Sequence, residues 1–242
     1  MEHAIVLKPE VLGFLGNLPI TNTLLVSWIV IGILATFSIL VTRRIKLVPS
    51  GIQNFGEMVV EGGLGICEDI AGSRGKIFFP FVFTFFLYVL VSNWLGLLPG
   101  FATITYQDQP LFRGVNSDLN MTLSLAIISA VLTHLFAIKY IGIKDYLKRW
   151  VSLNPIFLFV GLLEIVSEFT KIISLSFRLF GNIFAGEVVL TTISAIFAFI
   201  VPLPFYMLEI IVGFVQAAVF MMLSLVFMSI LSEKHGEENS KH

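Results

Sequence analysis

The sequence predicts an all-α polytopic membrane protein. Of its 242 residues, 57% are hydrophobic and 13% are charged, whereas about a quarter of the residues of a soluble domain are charged. Several apolar runs approach or exceed the ~20 residues that a helix needs to span a bilayer. We therefore expect a single integral membrane domain over residues 1–242, with about five membrane-embedded helices and one surface amphipathic helix. The last two membrane helices should form a long tilted antiparallel hairpin.

Composition also excludes several classes of function. The formal net charge is −1 and no basic patch is present, so the chain does not have the charge that phosphate backbones require. The one cysteine, Cys67, excludes an internal disulfide framework and a Cys-rich metal site, and it reads as a small packing residue. The glycines around residues 72–76 lack the spacing of a phosphate-binding loop. We expect no cofactor, no metal and no nucleic acid.

The first three spans follow from hydropathy and from the charges between them. We place these spans at about 22–42, 77–98 and 119–141. Arg43, Arg44 and Lys46 follow the first span, and the positive-inside rule then puts residues 43–76 in the cytoplasm and the N-terminus outside. The charges after the third span agree with that orientation.

Two shorter stretches are not expected to cross the membrane. Residues 1–20 are too short and too rich in Pro and Gly for a span, and we interpret them as a short interfacial piece. The first apolar run is expected to be an uncleaved span rather than a signal peptide. Residues 47–76 mix acids with apolar side chains, which favours a helix lying along the membrane surface.

The longest apolar stretch, residues 153–200, contains no proline after Pro155 and no polar turn. Some forty-five helical residues would measure about 67 Å, against a hydrocarbon core of ~30 Å. The segment is therefore either two spans that turn near Gly181 or one long tilted helix, and the continuous apolar sequence favours one helix. A final helix is expected at 205–231. With one tilted helix, the tail at 232–242 is cytoplasmic.

Five charged residues interrupt this stretch: Glu164, Glu168, Lys171, Arg178 and Glu187. An arginine at the centre of a bilayer costs at least ~2.5 kcal/mol. Its neighbours four residues away are Ser174 and Asn182, so no carboxylate of its own helix neutralises it. We interpret Arg178 as a functional residue whose counter-charge comes from another chain.

Helical periodicity places these groups on different faces of the helix. Ser174, Arg178 and Asn182 share one face with the small residues Gly181 and Ala185, and small residues permit close approach by another helix. Glu187 follows Arg178 by nine residues and therefore points away from it, toward another partner.

The final helix carries a second stripe, which consists of Glu209, Gly213, Gln216 and Phe220. One antiparallel register would pair Arg178 with Gln216 and Glu187 with Glu209. Gln216 would then hydrogen-bond to the arginine or lie level with it. Two facing glutamates cannot both ionise cheaply in a low-dielectric site, which suits a proton relay.

A second acidic group occupies the other end of the long helix. Glu164 and Glu168 lie before Lys171, and Glu168–Lys171 could equally be a structural ion pair. His134, near the cytoplasmic end of the third span, is a candidate proton relay. A plain interhelical hydrogen bond is the favoured interpretation of this histidine.

The sequence resembles subunit a of F-type ATP synthases over nearly the whole chain, and two motifs carry most of this resemblance. SLSFRLFGNIFAGE at 174–187 resembles the signature around the family's essential arginine, and GFVQAAVF at 213–220 resembles the motif of its last helix. Supporting matches are Pro49 with Gln53-Asn54, Asn93 with Gly96-Leu97-Leu98-Pro99, and Ser117-Asp118-Leu119-Asn120.

This resemblance implies a non-catalytic stator channel subunit that provides two aqueous half-channels to a ring of c subunits. Arg178 would face the ring and block leakage between the half-channels, while Glu187, Glu209, Gln216 and Asn182 would line the outer path. One family variant has histidine in place of Glu209. The implied partners are the c-ring, b-type peripheral stalk subunits, other ATP synthase subunits and lipid, in a bacterial inner membrane.

Two other functions remain to be weighed. A secondary transporter with a charged site at mid-membrane is possible, but such proteins often contain internal repeats, and no repeat is evident here. A membrane hydrolase is disfavoured because the sequence contains neither His-Glu-x-x-His nor a nucleophile elbow. The sequence leaves open H⁺ or Na⁺ coupling, the organism and the ring stoichiometry.

Overall fold

The computed structural model describes residues 9–16, 18–43, 45–49, 51–98, 101, 104–106, 109–150, 155–197 and 200–233. Its helices are α1 (Asn22–Thr42), α2 (Ile52–Ala71), α3 (Gly75–Gly96), α4 (Leu119–Ile141), α5 (Ile143–Trp150), α6 (Pro155–Ile196) and α7 (Pro202–Ser232). Five helical stretches of the described chain are long and apolar enough to cross a membrane, with α2 and α3 counted as one stretch. The prediction of an all-α polytopic membrane protein is confirmed.

The N-terminal segment contains strands that the sequence did not predict. Strands β1 (Val11–Leu15) and β2 (Leu18–Thr21) pair antiparallel, and Gly16 adopts a positive φ of 66° at the turn. Glycine takes this conformation without the steric cost that other residues pay. Residues 1–8 lie outside the described part, and the interfacial position of the hairpin stays a prediction.

The helices of the first three predicted spans, α1, α3 and α4, begin and end close to the predicted residues. Thr21 caps α1 by accepting a hydrogen bond from the Leu24 amide at 3.3 Å, and Asp118 caps α4 by accepting one from the Asn120 amide at 2.9 Å. Both side chains satisfy amides that a helix leaves unpaired at its start. Helix α3 begins at Gly75 and ends at Gly96, two residues before the predicted bounds at each end.

The predicted surface helix is shorter than the range 47–76. Gly51 and Gly72 bound α2 with φ values of 59° and 56°, conformations that interrupt a right-handed helix. A short 3-10 turn at Gly72–Arg74 leads into α3, and Gly63 of α2 packs against the rings of Phe83 and Phe79. The position of α2 on the membrane surface stays a prediction.

The main core lies between α3, α4, α6 and α7. Phe78, Val82, Leu179, Phe220 and Leu225 are fully buried there. Hydrogen bonds between buried hydroxyl groups also join α4 to α6 and α4 to α7. Because lipid offers no competing partners, such hydrogen bonds help to hold membrane helices together.

Helix α1 packs on the edge of this core. Only Val26 and Val30 are buried apolar residues of α1, in a small cluster with Val115. Trp28, Ile31 and many other apolar side chains of α1 are exposed, as expected for a lipid-facing helix.

The stretch after residue 153 forms one continuous helix. Helix α6 extends for 42 residues through Gly181 without interruption, as expected for one helix without a turn. At 1.5 Å per residue it measures about 63 Å, twice the hydrocarbon thickness. Its tilt in the membrane stays a prediction. Helix α7 begins at Pro202 and not at 205, because proline at the first helical position has no amide hydrogen to lose.

Two further strands and one short helix were not predicted. Strands β3 (Thr105–Tyr106) and β4 (Gln109–Pro110) form a small hairpin before α4, and a 3-10 turn at Val115–Ser117 follows it. Helix α5 follows α4 in a stretch that the hydropathy pattern does not mark as a helix. Of the predicted polar tail, residues 234–242 lie outside the described part.

Candidate functional site

Arg178 lies on an open groove along α6. The groove has a volume of about 440 Å³, and its polar lining residues are Ser167, Thr170, Lys171, Ser174 and Arg178. Arg178 is exposed and has no hydrogen bond or ion pair with any residue that the structure describes. We call this surface the Arg178 groove. Lys171, the other cation of the groove, is paired with Glu168, whereas Arg178 has no counter-charge within this part of the chain.

Opposite faces of α6 have different environments, as predicted. Ser174 is exposed beside Arg178, whereas Leu175, Ser176 and Leu179 are buried. The Ser176 hydroxyl contacts that of Thr122 in α4 at 3.1 Å. Helix α6 is therefore fixed to the core on one side and leaves the Arg178 side available. Asn182, one turn beyond Arg178, is half-buried.

Helices α6 and α7 pack antiparallel close to the predicted register. A Cβ added to Gly186 would overlap the Glu209 carboxyl group, so the two residues are in direct contact. Further along the pair, Lys171 Nζ lies 4.9 Å from the centroid of the Phe227 ring. Both contacts fit the register that was expected to bring Glu187 level with Glu209.

Glu187 reaches the turn before α4 as well as α7. Its carboxyl interacts with Arg113, with Ser117 and electrostatically with Glu209. A Cβ on Gly114 would lie 2.7 Å from Glu187 Oε1, so the carboxyl lies directly against this glycine. The two glutamates predicted to face each other are therefore neighbours that share a site with a cation.

Sequence reasoning missed the role of Arg113 in this outer acidic site, which we define as Glu187, Glu209 and Arg113. Arg113 donates to Ser117 through Nε at 3.2 Å and through Nη2 to the Ser117 carbonyl at 3.3 Å. The signal was present, because Arg113 is the lone cation of residues 101–118. Only the fold shows that this loop reaches Glu187.

Hydrogen bonds hold the loop in place. Thr23 of α1 donates to Asp118 Oδ2 at 2.9 Å, and Asn116 Nδ2 donates to Asn93 Oδ1 at 2.7 Å. Asn93 in turn donates to the Gly213 carbonyl of α7 at 3.0 Å. Buried polar side chains of α1 and α3 thus fix the loop that carries Arg113, and a backbone carbonyl of α7 orients Asn93.

Of the two expectations for Gln216, the hydrogen bond to Arg178 is not formed, whereas a position level with Arg178 fits the α6–α7 register. Gln216 is 6% exposed and its Nε2 has no partner among the described residues, whereas Arg178 is exposed on the groove. The register was right, but the two side chains leave their helices toward different environments. Gln216 is therefore buried and makes no hydrogen bond to the arginine.

A second charged cluster lies at the N-terminal half of α6. Lys171 Nζ donates to Glu168 Oε1 at 2.6 Å, and Glu168 is 8% exposed. The other Glu168 oxygen lies 3.9 Å from His134 Nε2, and Tyr146 hydrogen-bonds to His134 Nδ1 at 2.9 Å. The favoured interhelical hydrogen bond of His134 is confirmed, with α5 as its partner helix. Glu164 is half-buried one turn before Glu168.

The arginine therefore separates two acidic sites along one helix. Glu168 precedes Arg178 by about 15 Å of helical rise and Glu187 follows it by about 13 Å. Among the described residues, no cluster of three His, Cys, Asp or Glu side chains could hold a metal ion. The arrangement is suited to moving a charged species between two sites that a fixed cation keeps apart.

Comparison with known proteins identifies the family. The family model described as ATP synthase A chain matches residues 24–229. The chain belongs to the ATP synthase A chain family. It is therefore the proton-translocating membrane subunit of the Fo sector, and the ATP chemistry lies in F1. This membership decides against the transporter and hydrolase alternatives.

Curated relatives agree over most of their length. ATP synthase subunit a of Trichlorobacter lovleyi is 36% identical over 219 residues, which cover 88% of this chain and 89% of the relative. The Geotalea uraniireducens protein is 36% identical over 205 residues, 83% of each chain. The Geobacter sulfurreducens protein is 37% identical over 214 residues, 86% of this chain and 87% of the relative. The chain is a multi-pass membrane protein that belongs to an ATP synthase complex.

Proposed function

We propose that this Fo subunit provides two aqueous half-channels to a ring of c subunits and that Arg178 keeps them apart. The observation that carries the proposal is an exposed arginine without a partner in the described chain, on a groove between two acidic sites. A cation in a membrane is expected to pair with an anion. A carboxylate on a passing ring subunit would supply that anion.

In this mechanism protons enter through the outer acidic site. Glu187 and Glu209 pass a proton toward the ring, with Asn182 and Gln216 lining the approach. The proton neutralises a ring carboxylate, which can then face lipid, whereas the charged form cannot. The ring therefore turns in one direction. The membrane potential contributes ~2.3 kcal/mol per charge for each 100 mV.

Protons leave on the opposite side of the arginine. The Arg178 groove continues from Ser174 to Lys171, and Lys171 is paired with Glu168. We assign Glu164 and Glu168 to the exit path, on the cytoplasmic side of a bacterial inner membrane. With this orientation the N-terminus is outside and the C-terminus is cytoplasmic. The b-type stalk subunits and the other subunits of the complex would hold this chain against the turning ring.

The test replaces Arg178 in the assembled complex. Arg178→Ala should reduce ATP synthesis driven by an imposed proton gradient to background in membrane vesicles, because no cation then meets the ring carboxylate. Arg43→Ala, which removes an exposed arginine at the end of α1, is the matched control and should retain synthesis. Normal synthesis by Arg178→Ala complexes would refute the proposed role of the arginine.

A further inference from the structure

A second cleft lies beside the exit path, between α4, α5 and α6. It has a volume of about 360 Å³, and its polar lining residues are His134, Tyr146, Trp150 and Glu168. We call it the His134 cleft. It shares no lining residue with the Arg178 groove. A cleft of this volume has room for several water molecules.

The Glu168–Lys171 ion pair forms the boundary between the two spaces. Lys171 lines the Arg178 groove, whereas Glu168 lines the His134 cleft, and the two are joined by the hydrogen bond of 2.6 Å. Glu168 thus directs one carboxylate oxygen to Lys171, at the edge of the groove. It directs the other toward the imidazole of the cleft, at 3.9 Å.

Both ring nitrogens of His134 face groups that exchange protons. Nδ1 is hydrogen-bonded to the Tyr146 hydroxyl, and Nε2 faces Glu168. A histidine that served only to join α4 to α5 would need the contact with Tyr146 but not the one with Glu168. The titratable groups that face this imidazole are Tyr146 from α5 and Glu168 and Lys171 from α6.

Trp150 adds an independent sign of a hydrated site. Its indole packs edge-on against His134 and tilted against Tyr146, with centroid distances of 6.0 Å and 5.8 Å. Its Nε1 is buried and has no acceptor among the described residues. Buried polar groups of this kind are commonly satisfied by bound water.

We propose that His134 and Tyr146 form a proton relay that connects Glu168 with the His134 cleft. The relay rests on the proposed function, because it uses the exit path on the cytoplasmic side of Arg178. It gives protons a route that lies behind α6, away from the surface that the ring would cover. Proton exit would then continue while the ring occupies the groove.

The transfer is balanced in protons and involves no change in electrons. The Glu168 carboxylate takes a proton from water in the groove and passes it to His134 Nε2. Because 3.9 Å exceeds a hydrogen-bond length, one bridging water carries this step. His134 releases its Nδ1 proton to the Tyr146 oxygen while the Tyr146 hydroxyl gives its own proton to water in the cleft. Rotation of the imidazole about its Cβ–Cγ bond then again presents an unprotonated nitrogen to Glu168 and an N–H to Tyr146.

The test measures ATP-driven proton pumping by the intact complex in inverted vesicles, whose cytoplasmic face is outside. We compare His134→Leu, His134→Asn and Tyr146→Phe, with rates normalised to the amount of assembled complex. His134→Asn retains a short acceptor for the Tyr146 hydroxyl but places no nitrogen base near Glu168. Each variant should pump at least about fivefold more slowly, since a positioned proton donor and acceptor contributes 10²–10⁴-fold when no other route exists.

An impermeant zwitterionic buffer at the outer face distinguishes a relay from a packing residue. MES added outside should restore most of the rate in His134→Asn and Tyr146→Phe, because a mobile buffer replaces a missing relay. Unchanged rates in these two variants would overturn the relay. Slow rates that MES does not raise would also overturn it, since they would show a structural role.

Arg178→Ala in the same vesicles separates this inference from the function on which it rests. If Arg178→Ala stops pumping while the His134 and Tyr146 variants pump normally, only the relay is wrong. If Arg178→Ala pumps normally, the proposed function itself fails.

Discussion

Arg178 and Glu168 are charged side chains of the same helix, but their charges are balanced in different ways. Glu168 is almost fully buried and paired with Lys171 at 2.6 Å, so its charge is compensated within the chain. Arg178 is exposed and has no partner among the described residues. A fixed, uncompensated cation attracts a mobile carboxylate each time one passes. The difference between these two residues is the basis for assigning the ring-facing role to Arg178.

At the outer acidic site, we expect proton flux to depend on both glutamates. Glu187→Gln and Glu209→Gln should each slow proton-driven ATP synthesis by about tenfold or more, because an amide does not relay protons as a carboxyl does. Glu164→Gln should have a smaller effect, since Glu168 remains beside it. The measurement is the synthesis rate per assembled complex, and equal, negligible effects of all three variants would argue against the paired inlet.

The contact between Gly186 and Glu209 gives a second prediction at this scale. A Cβ at residue 186 would overlap the Glu209 carboxyl, so Gly186→Ala should displace this group and slow proton flux several-fold. Gly32→Ala is the matched control, because a Cβ at that helical glycine meets nothing within 4 Å. Equal flux through the two variants, measured in vesicles, would show that the position of Glu209 is unimportant.

Helix α6 joins these residues into one mechanical element. It is about 63 Å long and carries both acidic sites and the arginine between them. Buried Leu175 and Leu179 hold one face against the core, and exposed Ser174 and Arg178 form the other. Because an α-helix is stiff, the arginine is held at a fixed distance from each acidic site. Helix α7 sets the register through Gly186 and Glu209.

Cysteine crosslinking tests which face of α6 meets the ring. Ser174 is exposed, whereas Ser176, two residues later, is fully buried and contacts Thr122. Ser174→Cys should form crosslinks to cysteines introduced into the ring, and Ser176→Cys should not. Crosslinking of Ser176→Cys alone, or reaction of Ser174→Cys only with lipid-soluble reagents, would reverse the assignment of the two faces.

The whole molecule combines a packed core with a lipid-exposed periphery. Helices α3, α4, α6 and α7 share the core, while α1 exposes most of its apolar side chains. The continuity of α6 has a consequence for topology. If α6 crosses the membrane once as a tilted helix, α7 crosses back and ends on the side where α6 began. The end of α7 should therefore lie on the cytoplasmic side, opposite the loop before α4.

Thiol labelling checks this topology. A cysteine at Glu233, exposed at the end of α7, should react with an impermeant maleimide only from the cytoplasmic face. A cysteine at Phe112, in the loop before α4, should react only from the outside. The native Cys67 is fully buried, and a Cys67→Ser background removes its signal. Labelling of both positions from one face would contradict a single tilted helix.

Much of this architecture follows from one-dimensional patterns. The predicted ranges of α1 and α4 agree with the structure to the residue. Hydropathy indicates the two helices, and the capping residues Thr21 and Asp118 mark where they begin. Helical periodicity gave the Arg178 face and the α6–α7 register. These features depend on local sequence and on repeat lengths that are fixed by helix geometry.

The features that sequence reasoning missed depend on long-range contacts. Arg113 interacts with Glu187 from a loop that hydrogen bonds with Thr23 and Asn93 hold in place. The pairing of His134 with Tyr146 needs α5, a helix of eight residues that carries little hydropathy signal. Gln216 fits the predicted register but makes no hydrogen bond to Arg178, since a register does not specify where a side chain finds space.

Proton leakage through the intact complex tests most directly whether Arg178 separates two paths. In vesicles that contain the holocomplex but no ADP, F1 holds the ring still and a proton gradient should persist. With Arg178→Ala we expect the gradient to collapse rapidly, because no cation prevents direct proton passage between the half-channels, and Arg178→Lys should leak less. A gradient that Arg178→Ala vesicles retain as long as the unaltered complex would contradict the account.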